Sequence, residues 1–150
     1  MSSPSSPLSP RLSKVLEDLA ERIIPSGGPD YPGARDVGLP DKMLDMVAGF
    51  PGAMPGFKLI LWMWELSPFF YTLKFRPFSR LSPEAQNEFL EGYEKSWFYF
   101  RRITLTLLKI LFMARFYTDP HIQEKMGYTE GCLAPLEKVM PPWSPEEGKP

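Results

Sequence analysis

Apolar residues recur at helical spacing along most of this chain, and no alternating strand pattern persists anywhere. Ser9-Pro10 pairs an N-cap residue with a first-turn proline and therefore predicts the start of a helix. The apolar stripe of this helix consists of Leu12, Val15, Leu16, Leu19 and Ile23. The prolines and glycines of Pro25–Pro29 end the helix, and a loop then leads to a shorter helix that begins at Leu39-Pro40 and ends before Pro51.

The most apolar part of the chain follows, between Phe57 and Leu66. It is apolar on almost every side, which predicts a helix at the centre of the molecule. Ser67-Pro68 can either cap a new helix or kink the same one, and both alternatives stay open. The longest uninterrupted apolar run, Leu59–Trp64, is far shorter than the roughly 18–20 residues needed to cross a bilayer, so no transmembrane helix is expected.

Ser82-Pro83-Glu84 is the clearest helix start, since it combines an N-cap, a first-turn proline and an early acid. No proline follows until Pro120, and we expect two helices, roughly 83–95 and 97–117, with one bent helix as the alternative. Asp119 as N-cap then starts a short helix over 120–126.

Together these elements predict an all-α fold, a compact irregular bundle of about five to seven helices over residues 10–131. A Ser/Pro-rich tail, residues 1–9, is expected to be disordered. A Pro-rich tail, residues 132–150, is expected to be extended. The length suits one domain, and 43% apolar residues provide for its core.

Composition excludes several classes of function. The formal net charge of −1 gives no reason to expect nucleic acid binding. The single Cys132 excludes an internal disulfide and fits a reducing compartment. His121 is the only histidine, and the row of glutamates between Glu84 and Glu94 contains no Glu-x-x-His motif. With no phosphate loop and no nucleophile motif either, we predict no catalytic, cofactor-binding or metal-binding residue in this chain.

Four consecutive large rings, Trp97–Phe100, are the strongest hint of a partner. On a helix they point all round the axis, so they lie either on a second, partner-covered surface or within a core wrapped by neighbouring helices. Arg101, Arg102, Lys109 and Arg115 fall within an arc of about 140° and could meet water, an acidic partner or anionic lipid. As a hypothesis, the partner-binding residues are Trp97, Tyr99, Arg101 and Arg102.

Three short motifs occur in order along the chain: Ala20–Pro25, Pro32–Gly38, and Phe116–Pro120 followed by Gly127-Tyr128. In these motifs, over roughly residues 11–131, the chain resembles the gluconate 2-dehydrogenase subunit 3 family, the small (gamma) subunits of membrane-linked sugar dehydrogenases. Similar segments are fused ahead of some flavin-dependent alcohol oxidases of the glucose–methanol–choline (GMC) class.

The resemblance implies a non-catalytic accessory subunit that binds a large FAD-dependent GMC oxidoreductase and assists its maturation. The FAD and the catalytic residues would then belong to the partner. Such subunits often provide an export signal, but this chain shows neither a twin-arginine nor a secretory signal, which favours a cytoplasmic or membrane-peripheral complex. The alternative is a peripheral membrane or apolar-ligand-binding helical protein. The matching motif residues are expected to hold local turns: Pro25, Gly33, Arg35, Asp36, Tyr117, Asp119, Pro120, Gly127 and Tyr128.

Overall fold

A computed structural model describes residues 7–28, 31–71 and 76–127 of the chain. Within these residues there are six α-helices and no strand, so the all-α prediction is confirmed. The helices are α1 (Pro10–Ile23), α2 (Leu39–Ala48), α3 (Ala53–Tyr71), α4 (Pro83–Glu94), α5 (Tyr99–Tyr117) and α6 (Pro120–Lys125), with a 3-10 turn at Phe78–Arg80. Most of the two predicted tails, at residues 1–6 and 132–150, lies outside the described residues. Leu8, just ahead of α1, is buried.

The predicted helix starts are confirmed by their caps. The Ser9 hydroxyl accepts a hydrogen bond from the Leu12 amide, and the Ser82 hydroxyl accepts one from the Ala85 amide at 3.3 Å. Asp119 accepts from the His121 amide at 3.0 Å and so caps α6. Residues 95–98 separate α4 from α5, so the expected two helices are present and the alternative of one bent helix is not.

The central helix is α1, and the prediction that the apolar third helix lies at the centre was wrong. α1 packs against α2, α3, α4, α5 and the 3-10 turn. Only one side of α3 is covered, while Leu59 and Phe70 on its other side are 71% and 77% exposed. An all-round apolar pattern shows that a helix avoids water, but it does not show whether the cover comes from the same chain.

Pro68 lies inside α3 without ending it, which decides the alternative that the sequence left open. A proline has no N–H to donate to the carbonyl four residues earlier, here that of Trp64. The Ser67 hydroxyl donates to this carbonyl instead, at 2.9 Å. The helix therefore continues with its freed acceptor satisfied.

A buried carboxylate attaches α3 to its neighbours. Glu65 is fully buried and accepts hydrogen bonds from the Ser79 amide at 2.9 Å and the Ser79 hydroxyl at 2.7 Å. The guanidinium of Arg11 on α1 donates to it at 2.5 Å. Because a buried charge is tolerated only with such partners, these bonds fix α3 in position against α1 and the 3-10 turn.

Candidate partner-binding surface

The first two motifs form one tightly bonded turn after α1. The Glu21 carboxylate accepts from the amide and the hydroxyl of Ser26, at 3.0 and 2.9 Å. The Ser26 hydroxyl in turn accepts from the Arg35 amide at 3.0 Å, and the Arg35 guanidinium pairs with Glu21. These bonds hold the segment after Pro25 against the segment that follows Gly33.

Gly33 is required where the two segments cross. A Cβ atom at this position would lie 2.3 Å from the carbonyl oxygen of Pro25, far inside any real contact distance. The Gly33 amide donates to the Asp36 carboxylate at 2.7 Å, and the Ala34 amide donates to the Ile24 carbonyl at 3.0 Å. The contacts of these motif residues therefore support the structural role expected of them.

The third motif is attached to α2 by a buried charge. Asp119 is almost fully buried and forms an ion pair with Lys42 of α2. The hydrogen bond from Lys42, helped by the amide of His121, holds the pKa of Asp119 below its usual value against the opposing effect of burial. Gly127 follows the end of α6 with a φ of 71°, as expected at a C′ position. Tyr128 lies outside the described residues.

The first and third motifs meet in space although they are some ninety residues apart in sequence. A mostly apolar pocket of about 310 Å³ lies between Pro25 and Tyr31 on one side and Tyr117 and Ile122 on the other. Pro25 and Tyr117 thus contribute to one feature, which the sequence order alone did not indicate.

The four predicted partner-binding residues lie at the corner between α4 and α5, but in different environments. Trp97 is 95% exposed, and Tyr99 and Arg102 are exposed as well. Arg101 is half-buried, and its guanidinium stacks over the ring of Tyr93 at 4.4 Å. Their role in binding a partner stays a prediction.

The cations of α5 do not form one solvated strip. Lys109 is in an ion pair with Glu94, and the Arg115 side chain donates to the Lys42 carbonyl at 3.3 Å. Of the four, Arg102 is exposed, whereas Arg101, Lys109 and Arg115 are half-buried.

The largest candidate interface was missed by sequence reasoning and lies along α3 and α5. Seven large apolar side chains of α3 are exposed: Leu59, Ile60, Trp62, Met63, Leu66, Phe69 and Phe70. Four of α5, away from its two ends, are exposed as well: Leu107, Ile110, Leu111 and Met113. We call these eleven positions the α3–α5 face. So many clustered apolar side chains are unusual for a surface in permanent contact with water.

A groove joins the two halves of the α3–α5 face. It has a volume of about 180 Å³ and an almost entirely apolar lining. The α3 side is formed by Phe57, Ile60, Met63 and Trp64, and the α5 side by Thr104, Leu107, Leu108 and Leu111. The ring of Trp64 is buried, and its indole N–H has no hydrogen-bond acceptor among the described residues. A partner could therefore insert an apolar side chain here.

The charges beside this face are mostly positive. α5 contains four cations and no acid, and α3 adds Lys58. The one carboxylate in either helix is that of Glu65, which is buried and bonded to Arg11. The surroundings of the face therefore favour an apolar partner with a neutral or acidic rim.

The described residues contain no group of three or more His, Cys, Asp and Glu side chains arranged to hold a metal ion. None of the helices in residues 7–28, 31–71 and 76–127 combines the length and apolarity of a bilayer-crossing segment.

Comparison with known proteins agrees with the motifs. The family whose model matches is described as Gluconate 2-dehydrogenase subunit 3, and the match covers residues 11–132. No curated protein and no solved structure matches the chain.

Proposed function

Because the chain belongs to the gluconate 2-dehydrogenase subunit 3 family, we propose that it is the accessory subunit of a dehydrogenase complex, and that it binds and stabilises a large FAD-dependent oxidoreductase of the GMC class. The family name supports a place in a multi-subunit dehydrogenase. In this proposal the chain itself holds no cofactor, and FAD resides in the large subunit. The observation that carries the proposal is the α3–α5 face.

The composition of the face suits a stable protein interface. A standard interface buries about 800 Å² on each partner, with aromatic residues and methionine enriched at its centre. The α3–α5 face supplies Trp62, Phe70 and Met63 together with eight other large side chains. Removing this surface from water at about 25 cal/mol per Å² is a large favourable term, which is offset by the entropy lost on association.

In the proposed complex, two features of the α3–α5 face would contact the partner: the exposed rings of α3 and the groove beside Trp64. α3 presents rings that can anchor in pockets of the partner, and the groove beside Trp64 can accept an anchor from it. Covering the face would remove a surface that favours aggregation of the separate chain, and would link the folding of the two subunits. This linkage is the physical content of a stabilising or maturing role.

The test is co-purification of the tagged full chain with a GMC-type flavoprotein from the same host, measured by the flavin absorbance of the eluted complex. Met63→Asp places a charge on the α3–α5 face beside the groove and should abolish recovery of the flavoprotein. The matched control is Met126→Asp at the C-cap of α6, outside the α3–α5 face, since Met63 and Met126 are 49% and 52% exposed.

The proposal predicts a yellow complex with the wild-type chain and with Met126→Asp, and a colourless eluate with Met63→Asp. Circular dichroism of both variants checks that each remains helical. Equal recovery of flavoprotein with both variants would exclude the α3–α5 face as the interface. Recovery of none with the wild-type chain would overturn the proposed function itself.

A further inference from the structure

The corner between α4 and α5 is apolar but differs in shape from the α3–α5 groove. Trp97, Phe98, Tyr99 and Phe100 are consecutive and all exposed. We call these four rings, together with Arg102, the ring corner. Phe98 contacts Phe100 with ring centroids 5.9 Å apart, and Tyr99 contacts Phe100 at 6.1 Å, so the rings form a small cluster of their own.

The convex shape of the ring corner decides which kind of partner it fits. Phe98 has an extended backbone, and α5 starts at Tyr99, so successive rings point in different directions. A rigid protein surface would have to enclose such a corner from several sides at once. A fluid bilayer needs no preformed shape, and Trp and Tyr are the side chains enriched at its interface with water.

The net charge around the ring corner is positive. Residues 95–118 contain five Lys and Arg and no Asp or Glu. The two nearest acids on α4 are neutralised, since Glu91 pairs with Lys95 at 3.0 Å and Glu94 pairs with Lys109. Arg102 is exposed and forms no ion pair with any carboxylate of the described residues.

The start of α5 adds to this positive character. No side chain caps its first turn, and this turn contains Arg101 and Arg102 in place of acids. The N-terminal end of a helix carries a partial positive charge, so the helix dipole and these guanidinium groups act in the same direction. An anionic group facing the ring corner would meet both.

From shape, ring chemistry and charge together we infer that the ring corner docks on an anionic lipid bilayer. The rings would enter the interfacial layer while Arg102 stays at the level of the lipid phosphates. This contact is separate from the α3–α5 face, and it stands or falls independently of the proposed flavoprotein partner. It would hold the chain at a membrane surface without a membrane-spanning segment.

The experiment is sedimentation of the full chain with vesicles of phosphatidylcholine alone or mixed with phosphatidylglycerol. We expect binding to the anionic vesicles, weakened by salt, and little binding to the neutral ones. Phe100→Ala should weaken vesicle binding about tenfold, as expected when an aromatic ring no longer enters the interface. The control is Phe50→Ala, an exposed phenylalanine of similar accessibility outside the ring corner.

A second pair of variants, Arg102→Gln and its control Arg80→Gln, tests the contribution of charge to vesicle binding. Arg102→Gln should reduce binding to the anionic vesicles at low salt and leave little difference at high salt, whereas Arg80→Gln on the 3-10 turn should change neither. The four substituted residues are all exposed: Phe50, Arg80, Phe100 and Arg102. The variants should therefore remain folded, and circular dichroism checks this.

Each of the following results would overturn the inference. One is equal binding to neutral and anionic vesicles, or no binding to either. Another is that Phe50→Ala and Phe100→Ala reduce vesicle binding equally. The last is that the ring-corner variants release the flavoprotein while vesicle binding is unchanged, because the corner would then be a protein contact. Vesicle binding that depends on Met63 instead of Phe100 would likewise assign the membrane contact to the α3–α5 face.

Discussion

Asp119 has two roles at the start of α6, because it caps the helix and pairs with Lys42 of α2. The sequence predicted the cap from its position before a proline. It could not predict the ion pair, because Lys42 lies 77 residues away and is one of many cations in the chain. Only the packing of α2 against α5 brings the two together.

Asp119→Asn should destabilise the protein, since it removes the charge that Lys42 faces. Asparagine can still cap α6, so the loss comes from the ion pair, which leaves the half-buried Lys42 charge without its carboxylate partner. Urea unfolding of the wild type, Asp119→Asn, Lys42→Met and the double variant gives the coupling energy directly. A coupling energy of zero would mean that the ion pair does not stabilise the fold.

The contribution of Asp119 to the free energy of unfolding should depend on pH, and the lowered pKa of Asp119 fixes the direction. The pKa of Asp119 is lower in the folded chain than in the unfolded one, so its contribution to stability is present above about pH 3.9, the ordinary value for aspartate. The contribution disappears as the pH falls through the lower, folded pKa. The stability difference between wild type and Asp119→Asn should therefore shrink in acid, and a difference that grew in acid would contradict the assignment.

Two glycines respond to alanine substitution in opposite ways. Gly33→Ala forces a Cβ against the backbone of Pro25 and should destabilise the fold by roughly 1–3 kcal/mol or more. Gly92→Ala, inside α4 and with no atom within 4 Å of the new Cβ, should stabilise it by roughly 0.5–1 kcal/mol. Thermal melting of the two variants tests this. Similar melting temperatures would show that the turn at Gly33 can move away.

At the scale of elements, helix starts were predictable and helix neighbours were not. Ser9, Ser82 and Asp119 mark helix starts through contacts made within three residues, so local sequence is enough. Which side of α3 is covered depends on where α1, α2 and the 3-10 turn lie, and the residues of α3 do not encode these positions. The apolar pattern of α3 predicted a central helix, but one side of α3 is exposed in the structure.

The continuation of α3 through Pro68 depends on one hydroxyl group. Ser67→Ala should cost about 1–2 kcal/mol, because the Trp64 carbonyl loses the donor that replaces the missing proline amide. Adding Pro68→Ala should recover part of this loss, since alanine supplies the amide that proline lacks. Chemical unfolding of the single and double variants measures both effects. If Pro68→Ala recovered nothing, another group would have to satisfy that carbonyl.

At the scale of the whole molecule, the fold leaves one apolar surface exposed to water. α1 collects the apolar side chains of its neighbours into a closed core, while the outer sides of α3 and α5 remain open to water. The ring corner was partly foreseen, because four consecutive rings cannot all enter one core. The α3–α5 face was not, because its two halves are distant in sequence and become one surface only when folded.

Replacing Leu59 and Phe70 by glutamate should raise the solubility of the separate chain, because both side chains are exposed and the change divides the apolar face with charge. Size-exclusion chromatography with light scattering measures the change. Leu105→Glu is the contrasting variant, since this leucine is buried in the core and its replacement should unfold the protein. A wild-type chain that is already monomeric and equally soluble would contradict the expectation.

The buried carboxylate of Glu65 has a further consequence for assembly. Since Arg11 and Ser79 hold it from two directions, α3 is already rigid before any partner arrives. A binding surface that needs no ordering loses little conformational entropy at the moment of encounter. In the proposed complex, the α3 side of the interface would therefore be preformed in the separate chain.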